Sequence, residues 1–97
     1  MTIIALDYDD TYTLAPDLWN GLINIMHDYG WTVHIVTYRH STSFKDMDLK
    51  IPHITDYIFT NGKGKHQYCL DMGISIDVWI DDSPDAIIFD FKDLPIR

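Results

Sequence analysis

An almost unbroken apolar run, Ile3-Ile4-Ala5-Leu6, leads directly into Asp7-Tyr8-Asp9-Asp10-Thr11. The stretch Thr2 to Leu6 lacks the alternation of a half-solvated strand, so it predicts a strand buried on both faces of a parallel sheet. Three carboxylates at the C-terminal end of such a strand are costly. At a separation of about 4 Å and an effective dielectric near 20, two like charges repel by roughly 4 kcal/mol. A cation or a phosphate chemistry at that end would offset the cost.

The chain has 97 residues, which fits one domain spanning 1–97. A chain of that size buries roughly 60–70% of the surface that its unfolded form exposes. Its hydrophobic share of 46% is that of a folded globular chain rather than a disordered one. The net charge is −8, and every acidic residue is an aspartate. That balance argues against nonspecific binding to nucleic-acid backbone or anionic membrane. Nucleic acid is then a partner only in the role of substrate, and a small phosphorylated ligand held by local cations stays open. Cys69 is the single cysteine, which leaves no intramolecular disulfide or multi-cysteine zinc site. Its expected role is a small buried residue on a helix. The N-terminus runs straight into a strand, with no basic region or long apolar segment, so a cytoplasmic protein without signal peptide or membrane span is expected.

After the acidic turn, Ala15-Pro16-Asp17 reads as a helix start, with proline in the first turn and an acid near the positive end. Leu18, Leu22, Ile25 and Tyr29 recur at helical spacing, supported by Trp19, Ile23 and Met26, and Gly30 ends the helix. Trp31 to Val36 predicts a second strand running into Thr37-Tyr38-Arg39-His40. Ser41 to Lys50 predicts a loop with a short helical turn. Ile54 to Thr60 predicts a third strand closed by Asn61-Gly62. His66 to Met72 predicts a short helix stopped by Gly73. Ile76 to Ile80 predicts a fourth strand, ending in Asp81-Asp82-Ser83-Pro84-Asp85, and Ile87 to Phe91 a fifth at the edge. Strands separated by helical or loop crossovers imply an α/β fold with a parallel sheet covered on both faces.

The polar groups suited to chemistry gather at the C-terminal strand ends: Asp7 and Asp9, then Thr37, then Asp81 and Asp82. In open parallel sheets that edge is where ligands bind. Lys63 and Lys65 follow the third strand, where a helix start and a lysine suit a phosphate. In order and spacing, Asp7-Tyr8-Asp9-Asp10-Thr11, Thr37, Lys63 or Lys65, and Asp81-Asp82 with Asp85 resemble the haloacid dehalogenase (HAD) superfamily of aspartate-nucleophile phosphohydrolases. The likeness runs over nearly the whole chain and is closest to short phage and bacterial members without a cap domain. Ile80-Asp81-Asp82-Ser83-Pro84-Asp85 is similar to the fourth motif of deoxyribonucleotidase-like members.

The resemblance implies a three-layer α/β/α, Rossmann-like fold with strand order 5-4-1-2-3. It implies Asp7 as nucleophile, attacking phosphorus to give an aspartyl-phosphate, a role in which a carboxylate needs an activated electrophile. It implies Mg²⁺ as cofactor, with Asp7 and Asp81 as ligands, Asp82 or Asp85 acting directly or through water, and Asp9 counted in the same acidic set. Asp9 would protonate the leaving oxygen and later activate water. Thr37 would hydrogen-bond a phosphoryl oxygen, and Lys65, preferred over Lys63 because it opens the short helix, would balance the phosphoryl charge. Thr11, Arg39 and Lys63 are the further substrate-binding candidates, Arg39 through a bidentate clamp. The substrate class that follows is a phosphorylated small molecule, or the phosphate end of a larger one, with nucleotides or nucleic-acid ends favoured.

Asp10 stands where glycine is frequent in the family, and Tyr12 where a small aliphatic residue is frequent. Without a cap the site is open, which points to coverage by a second subunit, to a large substrate, or to loose selectivity. His40 and His66 lie near the same edge, while His27, His34 and His53 have no ligand spacing. Tyr8, Tyr12 and Tyr38 cluster around the acidic ends, where packing or rim placement is the first expectation. Two rival functions stand beside the hydrolase. One is a HAD-like module that binds phosphate or metal without turnover. The other is a receiver-like phosphoacceptor domain, which needs an acid after the third strand where this chain has Thr60-Asn61-Gly62.

Overall fold

The computed structural model describes residues 1–95. Four strands form one all-parallel sheet: β1 (Ile3–Leu6), β2 (Thr32–Thr37), β3 (Ile54–Phe59) and β4 (Val78–Ile80), in the order β3-β2-β1-β4. Three α-helices accompany them: α1 (Pro16–Asp28), α2 (Lys65–Asp71) and α3 (Asp85–Ile88), with 3-10 turns at Tyr12–Leu14 and Phe91–Asp93. The chain is thus an α/β protein whose strand β1 lies between β2 and β4.

The register explains why β1 has no polar face. Ile4 and Leu6 enter a buried cluster with Val33, Ile35 and Ile23 of α1. Ala5, pointing the other way, enters a second cluster with Val36, Ile58 and Cys69 of α2. Ile4, Ala5 and Leu6 are each buried, as an interior parallel strand requires. Cys69 is a free, buried thiol, in the packing role expected of it, and burial raises its pKa.

Four expectations are corrected. The stretch 87–91 is not a fifth strand, because Ser83-Pro84-Asp85 starts α3 instead. Its amide bonds close locally, from Ala86 to Ser83, from Ile87 to Pro84 and from Phe89 to Asp85. Proline's fixed φ suits that helix start, and local pairing leaves no row of donors for a sheet edge. The order 5-4-1-2-3 therefore lacks its first member.

The buried side of α1 is also shifted. Ile23 is buried with Trp19 and Met26 packed beside it, whereas Leu18, Ile25 and Tyr29 are 59%, 56% and 78% exposed. Both stripes have helical spacing, so periodicity alone could not choose between them. Two hydrogen bonds fix the choice. The Trp19 indole N–H donates to the Thr11 carbonyl at 2.9 Å, and the Tyr12 hydroxyl donates to Asn20 Oδ1 at 2.8 Å. Together they pin one face of α1 onto the turn that follows β1.

The loop 41–50 forms turns without a helical segment, and Trp31 stays outside β2, 39% exposed. No separate folded unit interrupts the connections after β1 and β2 among the described residues. No helix there is long and apolar enough to cross a membrane.

His34 is an anomaly on β2. It is buried, and its Nδ1 has no hydrogen-bond partner; Asp56 Oδ2 lies 3.7 Å away, an ion pair if the ring is protonated. Burial lowers its pKa, with Asp56 pulling the other way.

Candidate functional site

Parallel pairing brings the ends of three adjacent strands together. The Asp7 amide donates to the Ile80 carbonyl at 2.9 Å, carrying the β1–β4 ladder one residue past the strands. Asp7 and Asp81 therefore leave the sheet side by side, with Thr37 at the end of β2 on the other flank of β1.

Lys65 opens α2 and reaches into the gap between the two acids. Its Nζ lies 2.8 Å from Asp7 Oδ1 and 2.6 Å from Asp81 Oδ2. Lys65 is 2% exposed, so its charge is almost wholly removed from water. An unpaired ammonium there would be far more costly than the pair, because removing one partner of a buried ion pair typically costs about 3–5 kcal/mol. The Lys65 ammonium also lies 5.6 Å from the Tyr38 ring centroid. Lys63, the other lysine considered, is exposed and lines the neighbouring groove. The α2 N-terminus does not offer its amide freely, since Gly64 N–H donates to Asp90 Oδ1 at 2.7 Å. Positive charge at this edge comes from the lysine rather than from the helix end.

Thr11 joins the two acidic segments. Its hydroxyl is 3.1 Å from Asp7 Oδ2 and 3.3 Å from Asp82 Oδ1, and it accepts the Asp82 amide at 3.2 Å. Ser83 N–H donates to Asp81 Oδ1 at 2.9 Å, which fixes that carboxylate. Carboxylate oxygens of Asp7, Asp81 and Asp82 lie within 4.8 Å of one another. Asp9 and Asp85 are outside this group. Burial pushes Asp7 up to about 7, against the pull of Lys65, with Asp82 and Asp81 adding to the rise. One lysine does not balance the three acids. Close-set, hard carboxylate oxygens with a deficit of positive charge could hold a hard metal cation.

Asp9 lines the same cavity as Asp7 but is held apart from this group. Arg39 donates Nε to Asp9 Oδ2 at 2.8 Å and Nη2 to Asp9 Oδ1 at 2.6 Å, a bidentate fork. The same guanidinium donates Nη1 to Asp46 Oδ1 at 2.5 Å and to the Ser43 carbonyl at 2.9 Å. It lies 5.6 Å from the Tyr8 ring centroid. Thr37, 1% exposed, accepts the Arg39 amide on Oγ1 at 3.2 Å and lines the same cavity as Asp7 and Lys65. Asp46 and the loop around it carried no signal in the sequence beyond an unremarkable charge in a polar stretch.

Asp10 adopts φ 60°, the left-handed region that most side chains avoid, and its N–H donates to Thr13 Oγ1 at 3.0 Å. Short polar residues tolerate that conformation as glycine does. Asp10 thus serves backbone geometry. Tyr8 and Tyr12 are buried and stacked at 5.6 Å, while Tyr38 is half-buried at the cavity rim. Burial and the carboxylates of Asp81, Asp90 and Asp85 push Tyr38 up to about 12, so its hydroxyl remains a donor, used on the Phe89 carbonyl.

The cavity holding Asp7, Asp9, Thr37, Lys65, Asp81 and Asp82 has a volume of about 310 Å³. No family model matches the chain, and no curated protein or solved structure matches it.

Proposed function

We propose that the chain is a Mg²⁺-dependent phosphomonoester hydrolase of the HAD type, working through an aspartyl-phosphate on Asp7. The observation that carries this reading is the Lys65 ammonium bridging Asp7 and Asp81 at 2.8 and 2.6 Å, with Asp82 completing a close acidic set. Sheet order β3-β2-β1-β4, with buried clusters on opposite sides of β1, supports a three-layer HAD-like core.

In the first half-reaction a carboxylate oxygen of Asp7 forms a bond to phosphorus as the ester P–O bond breaks. The leaving oxygen takes its proton from the Asp9 carboxyl. In the second, water attacks phosphorus, Asp9 takes the water's proton, and Asp7 is released with inorganic phosphate. Lys65 and Thr37, which line the same cavity as Asp7, would balance and hydrogen-bond the phosphoryl oxygens. Thr11 orients Asp7 and ties it to Asp82. Mg²⁺, held by Asp7, Asp81 and Asp82, would supply the positive charge that lets an anionic nucleophile approach an anionic ester.

A second reading has a specific observation behind it. Both Asp9 oxygens are taken by Arg39, so Asp9 must exchange that fork for substrate before it can move a proton. A module that binds phosphate without turnover would have no need of the exchange. A receiver-like domain is less well supported, since Thr60, not an acid, follows β3.

The test is a screen of nucleotides, sugar phosphates and phosphorylated oligonucleotides with and without Mg²⁺, using wild type and Asp7→Asn. Mg²⁺-dependent phosphate release that Asp7→Asn abolishes is expected. Equal rates in the two proteins would falsify the nucleophile assignment. Stable phosphorylation without release favours the receiver, and neither labelling nor release favours the binding module.

A further inference from the structure

A second cavity of about 550 Å³ adjoins the one that holds Asp7. The two share Asp9, Tyr38 and Phe91 as common walls. Beyond that wall the second cavity is lined by Arg39, Lys63 and Lys92, with Asn61 and His40 at its side.

Its charge stands out against the rest of the chain. The protein carries 7 lysines and arginines against 15 acids, yet three of those cations line this one groove. Against them it has the carboxylates of Asp9, taken by Arg39, and Asp90, taken by Gly64 N–H. Lys63 and Lys92 make no ion pair among the described residues and are exposed to whatever enters. Two uncommitted ammonium groups beside a phosphoryl site attract a second anion, and they do so inside a concave surface that concentrates their field.

The wall itself offers aromatic area. Tyr38 and Phe91 meet edge to face at 6.0 Å, and Phe91 is 66% exposed. A flat ring passing from one cavity to the other would meet those side chains, which provide stacking without regard to ring identity. Asn61, at φ 55°, commits its Oδ1 to the Ser41 amide, leaving its side-chain N–H₂ as a donor on the same rim.

We propose that this groove binds the leaving group of the substrate, and that the leaving group carries a flat ring and a second phosphate. The inference rests on the phosphohydrolase reading of the Asp7 site. It assigns Lys63 and Lys92 to the second phosphate and the Tyr38–Phe91 pair to the ring. A nucleoside with two separate phosphates and a 5′-phosphorylated dinucleotide present the same chemistry.

The test compares kcat/KM for a nucleoside 5′-monophosphate, the matching 3′,5′-bisphosphate, a 5′-phosphorylated dinucleotide and a ring-free sugar phosphate. Wild type is measured beside Lys63→Ala/Lys92→Ala, with thermal midpoints checking that both are folded. The bisphosphate is expected to exceed the monophosphate at least tenfold in wild type. That preference should collapse to within twofold in the double variant, and the sugar phosphate should be the poorest substrate. A dinucleotide preferred over the bisphosphate places the substrate at a polynucleotide end, and the reverse order places it among free nucleotides. Equal values for monophosphate and bisphosphate in wild type overturn the proposal while leaving the hydrolase intact. If no ester is turned over, the hydrolase reading fails, and calorimetric titration with the bisphosphate decides the groove separately. Binding tenfold weaker in the double variant upholds the groove, and equal or absent binding removes it.

Discussion

Arg39 grips Asp9 through two parallel hydrogen bonds, 2.8 Å from Nε to Oδ2 and 2.6 Å from Nη2 to Oδ1. Its remaining nitrogen holds Asp46 and the Ser43 carbonyl, so one side chain ties the turn after β1 to the loop after β2. The residue assigned the proton transfer is thereby held out of the acidic group around Lys65.

Arg39→Lys keeps the charge but cannot reproduce the fork. Asp9 leaves the fork to move a proton, but without the fork it has no fixed position to start from or return to, which predicts a kcat lowered about tenfold or more, together with faster proteolysis between residues 40 and 50. Asp9→Asn, which removes the proposed proton carrier and one fork acceptor but leaves the Arg39 bonds to Asp46 and Ser43, is expected to lower kcat by about 10²–10⁴ with less added proteolysis than Arg39→Lys. Steady-state kinetics and a timed protease digest of the same preparations separate the two. A kcat in Arg39→Lys within twofold of wild type would show that the fork serves the loop alone.

Helix α1 provides a stability test. Ile23 is 1% exposed in the cluster with Ile4 and Leu6, so Ile23→Ala should cost about 2–5 kcal/mol. Leu18 is 59% exposed, and Leu18→Ser should change stability by no more than about 0.5 kcal/mol. Urea denaturation of both variants settles which side of the helix faces the sheet. Comparable losses would mean that the stripe through Leu18, Ile25 and Tyr29 is covered.

That stripe is as apolar and as regularly spaced as the buried one, so local pattern does not encode the choice. Strand β1 was legible because both of its faces are buried, which leaves a continuous apolar run that nothing else explains. The alignment of Asp7, Thr37 and Asp81 was legible for the same reason, since parallel strands end at one edge. Helix α1 carries two apolar stripes, and the choice between them is made by Trp19 and Tyr12 bonding to a distant turn and to Asn20. The stretch Ile87-Ile88-Phe89-Asp90-Phe91 suits an edge strand as well as a short helix, and Pro84 decides it. The Arg39–Asp46 tie depends on a loop whose path no local pattern encodes.

Asp7 makes a pH prediction with a definite sign. Its folded-state value, about 7, lies above the unfolded 3.8, because burial disfavours the charged form. The protonated carboxyl therefore stabilises the fold below pH 4, and that contribution is lost as pH rises from 4 to 7. His34 acts in the opposite direction. Its folded value is lowered below 6.5, so its contribution is present above that pH and lost as pH falls. In Mg²⁺-free buffer, Asp7→Asn should be the more stable protein at pH 8, and the gap should close toward pH 4. Adding Mg²⁺ at pH 8 should raise the melting temperature of wild type and leave that of Asp7→Asn nearly unchanged. Thermal melts across pH, with and without the ion, check both arms. A wild type stabilised at pH 8 relative to the variant, with no metal present, would contradict the assignment.

Gly64 links the packing of α3 to the site. A Cβ built there would lie 2.6 Å from the Ile88 carbonyl oxygen and 3.1 Å from its carbon, both backbone atoms of the helix that packs on α2. Its φ of −51° is open to any residue, so the requirement is space rather than conformation. Gly64→Ala must push α3 away, which should cost roughly 1–3 kcal/mol. The shift would also strain the Gly64 bond to Asp90 and displace the next residue, Lys65, whose ammonium depends on two contacts under 3 Å. The kcat of the proposed phosphatase should therefore fall about tenfold or more even below the unfolding transition, since small misplacements of catalytic groups are expensive. Lys92→Ala, an exposed residue of the groove lined by Arg39 and Lys63, should leave the stability within about 0.5 kcal/mol of wild type. If Gly64→Ala loses stability but retains full kcat, then α2 can move without Lys65, and the site is less tightly coupled to α3 than the contact at Ile88 implies.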